Sequence, residues 1–86
     1  MIEKTLGFIG GGRVTRIILE GFKRKNLLFK EVVVSDINPE ALKHLKEKFL
    51  DITVALDNNP LPASGDLVFI ALHPPAVLPA LDDIKP

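Results

Sequence analysis

Gly10, Gly11 and Gly12 stand together between the apolar run Thr5–Ile9 and a helical pattern that begins at Arg13. Glycines in such a turn serve one kind of chemistry: they let an anion reach the main chain. Gly10 permits the tight turn, and Gly12 lets a pyrophosphate approach the backbone. The free amides at the helix start, with the positive end of the dipole, would hold the phosphates. Arg13 places a charge in the same first turn. Asp36 closes a second apolar run (VVVSD), where a carboxylate can bind both hydroxyls of an adenosine ribose. The same side chain has a competing use as a turn or cap residue before the next helix. The third small position of the pattern, normally Gly or Ala, is Thr15. A threonine there either holds helix and strand slightly apart or spends its hydroxyl locally.

Such a turn works only with a strand before it and a helix after it. Thr5–Ile9 (TLGFI) reads as a buried strand. From Arg13 the period becomes helical: Val14, Ile17, Ile18, Gly21 and Phe22 fall on one side, with Arg16, Glu20, Lys23 and Arg24 opposite. This helix is expected to end near Asn26. Val32–Val34 is a β-branched second strand. Asn38-Pro39-Glu40 is a helix start, with a capping side chain, a proline at the first position and an acid in the first turn. Leu42, Leu45 and Phe49 mark its buried stripe, and Ile52–Leu56 is a third strand. Asp57–Asp66 is rich in turn formers, and Pro60 and Pro62 leave room for about one turn of helix. Leu67–Leu72 is apolar without alternation, which predicts a strand covered on both faces. His73-Pro74-Pro75 stops it, and Ala76–Ile84 has a short helix's spacing, interrupted by Pro79.

Strands alternating with helices imply an α/β fold: a Rossmann-like parallel sheet with helices on both faces, in the order 3-2-1-4. Residues 1–86 read as one dinucleotide-binding domain, truncated after the fourth strand.

Composition sets bounds on partners. The chain has 86 residues, 47% of them hydrophobic and 26% charged, which is globular rather than disordered. Eleven basic residues balance eleven acidic ones, so the electrostatic footprint of a nucleic-acid binder is missing. Lys23-Arg24-Lys25 suits the solvated end of a helix. With no cysteine, disulfides, thiolate metal sites and thiol catalysis are excluded. No metal site is read. The N-terminus lacks a signal-peptide pattern and no apolar run approaches a membrane span, so the expected location is cytoplasmic. His44 lies on the polar side of the second helix and is expected to meet water.

The combination of GFIGGG at Gly7–Gly12, Gly21 in the first helix, VSDINPEAL at Val34–Leu42, Asp57-Asn58 and IALHP at Ile70–Pro74 resembles the N-terminal domain of the pyrroline-5-carboxylate reductase family. The resemblance covers nearly the whole chain. It implies that the backbone of Gly10, Gly11, Gly12, Arg13 and Val14 holds a pyrophosphate, and that Ser35 and Asp36 face the adenosine ribose. It also implies that Asn58 contacts the cofactor. Ala71, Leu72, His73 and Pro74 match the family's Ala-Val-Lys-Pro, beside the nicotinamide. At His73 a polar group is kept and a fixed charge is lost.

The implied cofactor is NAD(P)H. Members of that family often use the phosphorylated form. The acid Asp36, with Ile37 rather than an arginine after it, favours NAD locally. Ser35 and Asn38 could still donate to a phosphate. A reductase of this kind moves hydride to a cyclic imine in proline biosynthesis and needs a second, helical domain that pairs two subunits. No such domain is read here, and no residue is assigned as a catalytic acid or base. An open sheet edge, or the missing domain, would then be the route to a homo-oligomer. Two other readings stay open: a non-catalytic nucleotide-sensing module, and a related hydroxyacid or F420-linked dehydrogenase.

Overall fold

Strands and helices alternate along the chain in the computed structural model, which describes residues 2–85. The order is β1 (Ile2–Ile9), α1 (Arg13–Arg24), β2 (Phe29–Asp36), α2 (Pro39–Lys48), β3 (Thr53–Leu56), α3 (Pro60–Ala63), β4 (Leu67–Ile70) and α4 (Pro74–Ile84). All pairings are parallel, and the sheet runs β3-β2-β1-β4. The expected order 3-2-1-4 and the α/β class are those of the molecule.

Strand parity divides the core. Leu6, Phe8 and Val34 point to one face, where Leu19 of α1 and Leu42 and Leu45 of α2 close over them. Phe69 of β4 stacks on Phe8, ring centroids 4.9 Å apart. Lys48 at the end of α2 pairs with Glu20 of α1. That contact, chiefly its hydrogen bond, holds the Glu20 carboxyl below the usual carboxylate range. On the opposite face the short α3 lies directly on the sheet. A β-carbon at Gly7 would stand 1.8 Å from the Pro62 carbonyl oxygen, and Pro62 itself is buried. Gly7 is therefore the residue that lets α3 sit flush.

Local signals behave as the residue types dictate. The Asn38 side chain caps α2 by accepting from the Glu40 amide at 3.0 Å. Asn26 follows α1 with φ 56°, the left-handed conformation that asparagine tolerates. Pro74 opens α4, so the residues that stop β4 also start the last helix. Pro79 lies inside α4 without ending it.

Two expectations are corrected. The buried stripe of α1 is Thr15 and Leu19, with Ile18 and Phe22 half-buried against the core. Val14 and Ile17 are 56% and 53% exposed, and a β-carbon added at Gly21 would meet no atom within 4 Å. The stripe is rotated by one residue because the polar Thr15 takes a buried place that the apolar pattern assigns to its neighbour. Likewise β4 is not covered on both faces: Leu67 and Ile70 are exposed. It is an edge strand, so the flanks of its side chains meet solvent.

These glycines make opposite predictions. Gly7→Ala forces α3 off the sheet and should cost about 3 kcal/mol, the upper range for overpacking. Gly21→Ala should stabilise by about 1 kcal/mol, since it removes glycine from an open helix interior. Chemical denaturation of both variants checks the sign of each.

Candidate functional site

All four strands run toward the same end of the sheet, and β1 lies between two neighbours reached in opposite directions, β2 and β4. Ligands of open parallel sheets bind at such a switch point, beyond the carboxyl ends of the strands. The glycine turn lies there.

Gly10 is demanded by the protein itself. Its φ is 110°, and a β-carbon would stand 2.4 Å from the Ala71 carbonyl oxygen. Its amide donates to the Ser35 carbonyl at 2.8 Å, and its carbonyl accepts from the Thr15 hydroxyl at 2.5 Å. Thr15 thus uses its hydroxyl locally, fully buried. Gly11 packs closely but less severely, with a β-carbon 3.3 Å from Leu42 and 3.5 Å from Asp36.

Gly12 is different. Its φ of −88° suits any residue, and an added β-carbon would meet nothing within 4 Å. It is the N-cap of α1, yet it supplies no capping side chain. The amides of Gly12, Arg13 and Val14 are left without helical partners. Arg13 and Val14 are both exposed beside them. The result is an exposed group of donors at a positive helix end, open to an anion.

Asp36 faces this turn from the end of β2. One carboxylate oxygen accepts from the Gly11 amide at 2.7 Å and the other from the Asn38 amide at 2.9 Å. The two uses of Asp36, turn residue and site residue, are therefore compatible in one side chain. A carboxylate has about four lone-pair positions, so both oxygens keep capacity for ribose hydroxyls.

Ser35 is a correction. The resemblance places it facing the ribose, but it is fully buried on the opposite face of β2. Its hydroxyl donates to the Asn59 side-chain carbonyl at 2.6 Å. Neighbouring strand residues point to opposite faces, so Ser35 and Asp36 cannot share one side of the sheet. Asn58 is exposed just after β3, near the point where the Asp57 amide donates to the Asp36 carbonyl at 2.8 Å. Asn59, which sequence reasoning missed, is the asparagine that braces β2. The strand alternation of Val33 and Ser35 against Val34 and Asp36 is the signal that points to it, because it leaves Ser35 in need of a partner on the far face.

The fourth segment is brought to the turn. The Ala71 amide donates to the Ile9 carbonyl at 2.9 Å, and Ala71 and Leu72 both pack on Gly10. His73 and Pro74 follow at the start of α4, both exposed, with no capping bond from the histidine side chain. His44 is exposed on α2. Among the described residues no group of His, Asp and Glu is arranged to hold a metal, and no helix is long and apolar enough to cross a membrane.

Known proteins resemble this chain in sequence. A family model described as "NADP oxidoreductase coenzyme F420-dependent" matches residues 5–86. A pyrroline-5-carboxylate reductase of Methanosarcina acetivorans is 28% identical over 86 residues, covering 99% of this chain and 32% of its own length. The chain thus spans about a third of the length of that curated relative. With its parallel sheet and glycine turn, the chain belongs to the NADP oxidoreductase, coenzyme F420-dependent family and has the cofactor-binding domain of an oxidoreductase.

Proposed function

We propose that this chain is the NAD(P)H-binding domain of a reductase that delivers hydride to a cyclic imine, as the name of its Methanosarcina relative suggests, and so serves proline biosynthesis. One observation carries the nucleotide reading. Gly12 has neither a strained φ nor a neighbour to explain the missing side chain. The space it leaves lies over unpartnered amides, where a pyrophosphate fits. When bound, the cofactor supplies the hydride; the protein supplies binding and orientation. The amides of Gly12, Arg13 and Val14 take the phosphates, and the Arg13 guanidinium adds a charge-assisted contact; the amides of Gly10 and Gly11, expected to share in this, donate instead to Ser35 and Asp36. Asp36 accepts from the adenosine ribose. Ala71, Leu72, His73 and Pro74 border the nicotinamide side, and Asn58 contacts the cofactor. The 86 residues alone bind nucleotide without turnover, because no group in the site has the role of a general acid or base.

The proposed cofactor is NAD rather than NADP. The carboxylate of Asp36 is held by two backbone donors, so it cannot turn aside without leaving them unpaired. A 2′-phosphate would bring like charge against it. Ser35, the other candidate phosphate donor, has its hydroxyl committed to Asn59. The family's description favours a second reading, in which NADP is bound and coenzyme F420 is the hydride partner. The working location is the cytoplasm, and assembly proceeds through the exposed β4 edge or a further domain.

Calorimetric titration with NADH and NADPH tests the site. Gly12→Ser should improve the helix cap by a few tenths of a kcal/mol while weakening nucleotide binding at least about tenfold, or about 1.4 kcal/mol. Unchanged affinity in that variant would remove the basis of the reading. Asp36→Asn should reduce the preference for NADH over NADPH by about tenfold. Turnover of NADPH with coenzyme F420, and none with a cyclic imine, would favour the F420-linked alternative.

A further inference from the structure

The peptide unit joining Gly10 to Gly11 is held at both ends by side chains. Its carbonyl accepts from Thr15 Oγ1 at 2.5 Å, and its N–H donates to Asp36 Oδ2 at 2.7 Å. In a trans peptide these two groups point in opposite directions, so Thr15 and Asp36 grip the unit from opposite sides. The unit needs such a grip. A peptide between two glycines has little steric resistance to rotation, and Gly10 already sits at φ 110°.

Thr15 does not make the bond expected of a threonine in a helix. A helical threonine ordinarily returns its hydroxyl to the carbonyl three or four residues back. Here it reaches past the helix start to Gly10. It stands fully buried where the dinucleotide-binding pattern has a Gly or Ala that can donate nothing from its side chain. The hydroxyl is therefore an addition to the pattern.

We propose that Thr15 is a positioning residue for the adenosine-ribose subsite. By holding the Gly10 carbonyl it fixes the Gly11 amide, and that amide fixes the Asp36 carboxylate in the orientation that accepts ribose hydroxyls and repels a 2′-phosphate. Without the hydroxyl the peptide can rotate and present its carbonyl to Asp36, and two acceptors then repel each other. The carboxylate loses one of its two anchors and keeps only the Asn38 amide. This inference rests on the nucleotide reading of the site.

Two measurements test it, one of them free of ligand. Thr15→Val keeps the shape and removes the donor; Thr15→Ser keeps the donor; Thr15→Ala removes the donor without adding bulk if valine disturbs the fold. In amide hydrogen exchange, the Gly11 N–H should exchange at least about tenfold faster in the valine and alanine variants, with Phe8 and Ile9 unchanged. The serine variant should retain protection. In titrations, the valine variant should lose most of the NADH-over-NADPH preference, and serine should keep it. Unchanged Gly11 protection without the hydroxyl overturns the proposal, as does a loss shared equally by the β1 amides, which would make Thr15 a packing residue. An unaltered nucleotide preference beside faster Gly11 exchange also overturns it. If the parent binds neither nucleotide, the nucleotide reading falls and the subsite role of Thr15 falls with it, while the exchange data still decide whether the grip exists.

Discussion

The Pro62 carbonyl comes so near to β1 that a β-carbon at Gly7 would overlap it, and the Ala71 carbonyl does the same at Gly10. The first strand and the turn that follows it are thus a rail on which two distant segments rest with no side chain between. α3 reaches the sheet because Gly7 is bare, and the end of β4 crosses the turn because Gly10 is bare. The hydrophobic layer on the other face is ordinary by comparison. Leu6, Phe8 and Val34 beneath Leu19, Leu42 and Leu45 form a small core of the kind any two-helix cover gives.

Glycine serves two separate ends within three residues. At Gly10 its absence of side chain answers to the protein's own backbone. At Gly12 it answers to nothing inside the protein. A sequence pattern treats both as one motif, but the physical demands are different: one position is fixed by folding and the other has open space around it. The two are joined through hydrogen bonds. The Ser35 carbonyl, Gly10, Thr15 and Asp36 form one connected set across β1, α1 and β2. The turn is therefore rigid on its inner side and open on its outer side.

Much of this is legible in the sequence. The glycine turn and the capped start of α2 follow from residue types and spacing, since each is a local demand on the backbone. The strand order follows from the alternation of strands and helices with right-handed crossovers. What stays hidden comes from parity and phase. Val14 and Ile17 are apolar enough to draw the helical stripe toward themselves, yet Thr15 holds the buried place because its hydroxyl has a partner. Ser35 looks like a neighbour of Asp36 in function because it is one in sequence, whereas a strand sends the two to opposite faces. The bracing role of Asn59 depends on where α3 begins, and two prolines in a turn-rich segment give no register for that. The exposure of Leu67 and Ile70 reflects position at the sheet edge, which an apolar run does not encode.

The contact between Gly10 and Ala71 also orders events in time. The glycine turn leaves the ribosome well ahead of Ala71, yet its shape is completed by that residue's carbonyl. Closing the loop between them joins segments far apart in sequence, so it carries a loop-closure cost and belongs to the slow, non-local steps of folding. During synthesis the turn would emerge early and wait. It would acquire its final form only once the three later strands had followed it out.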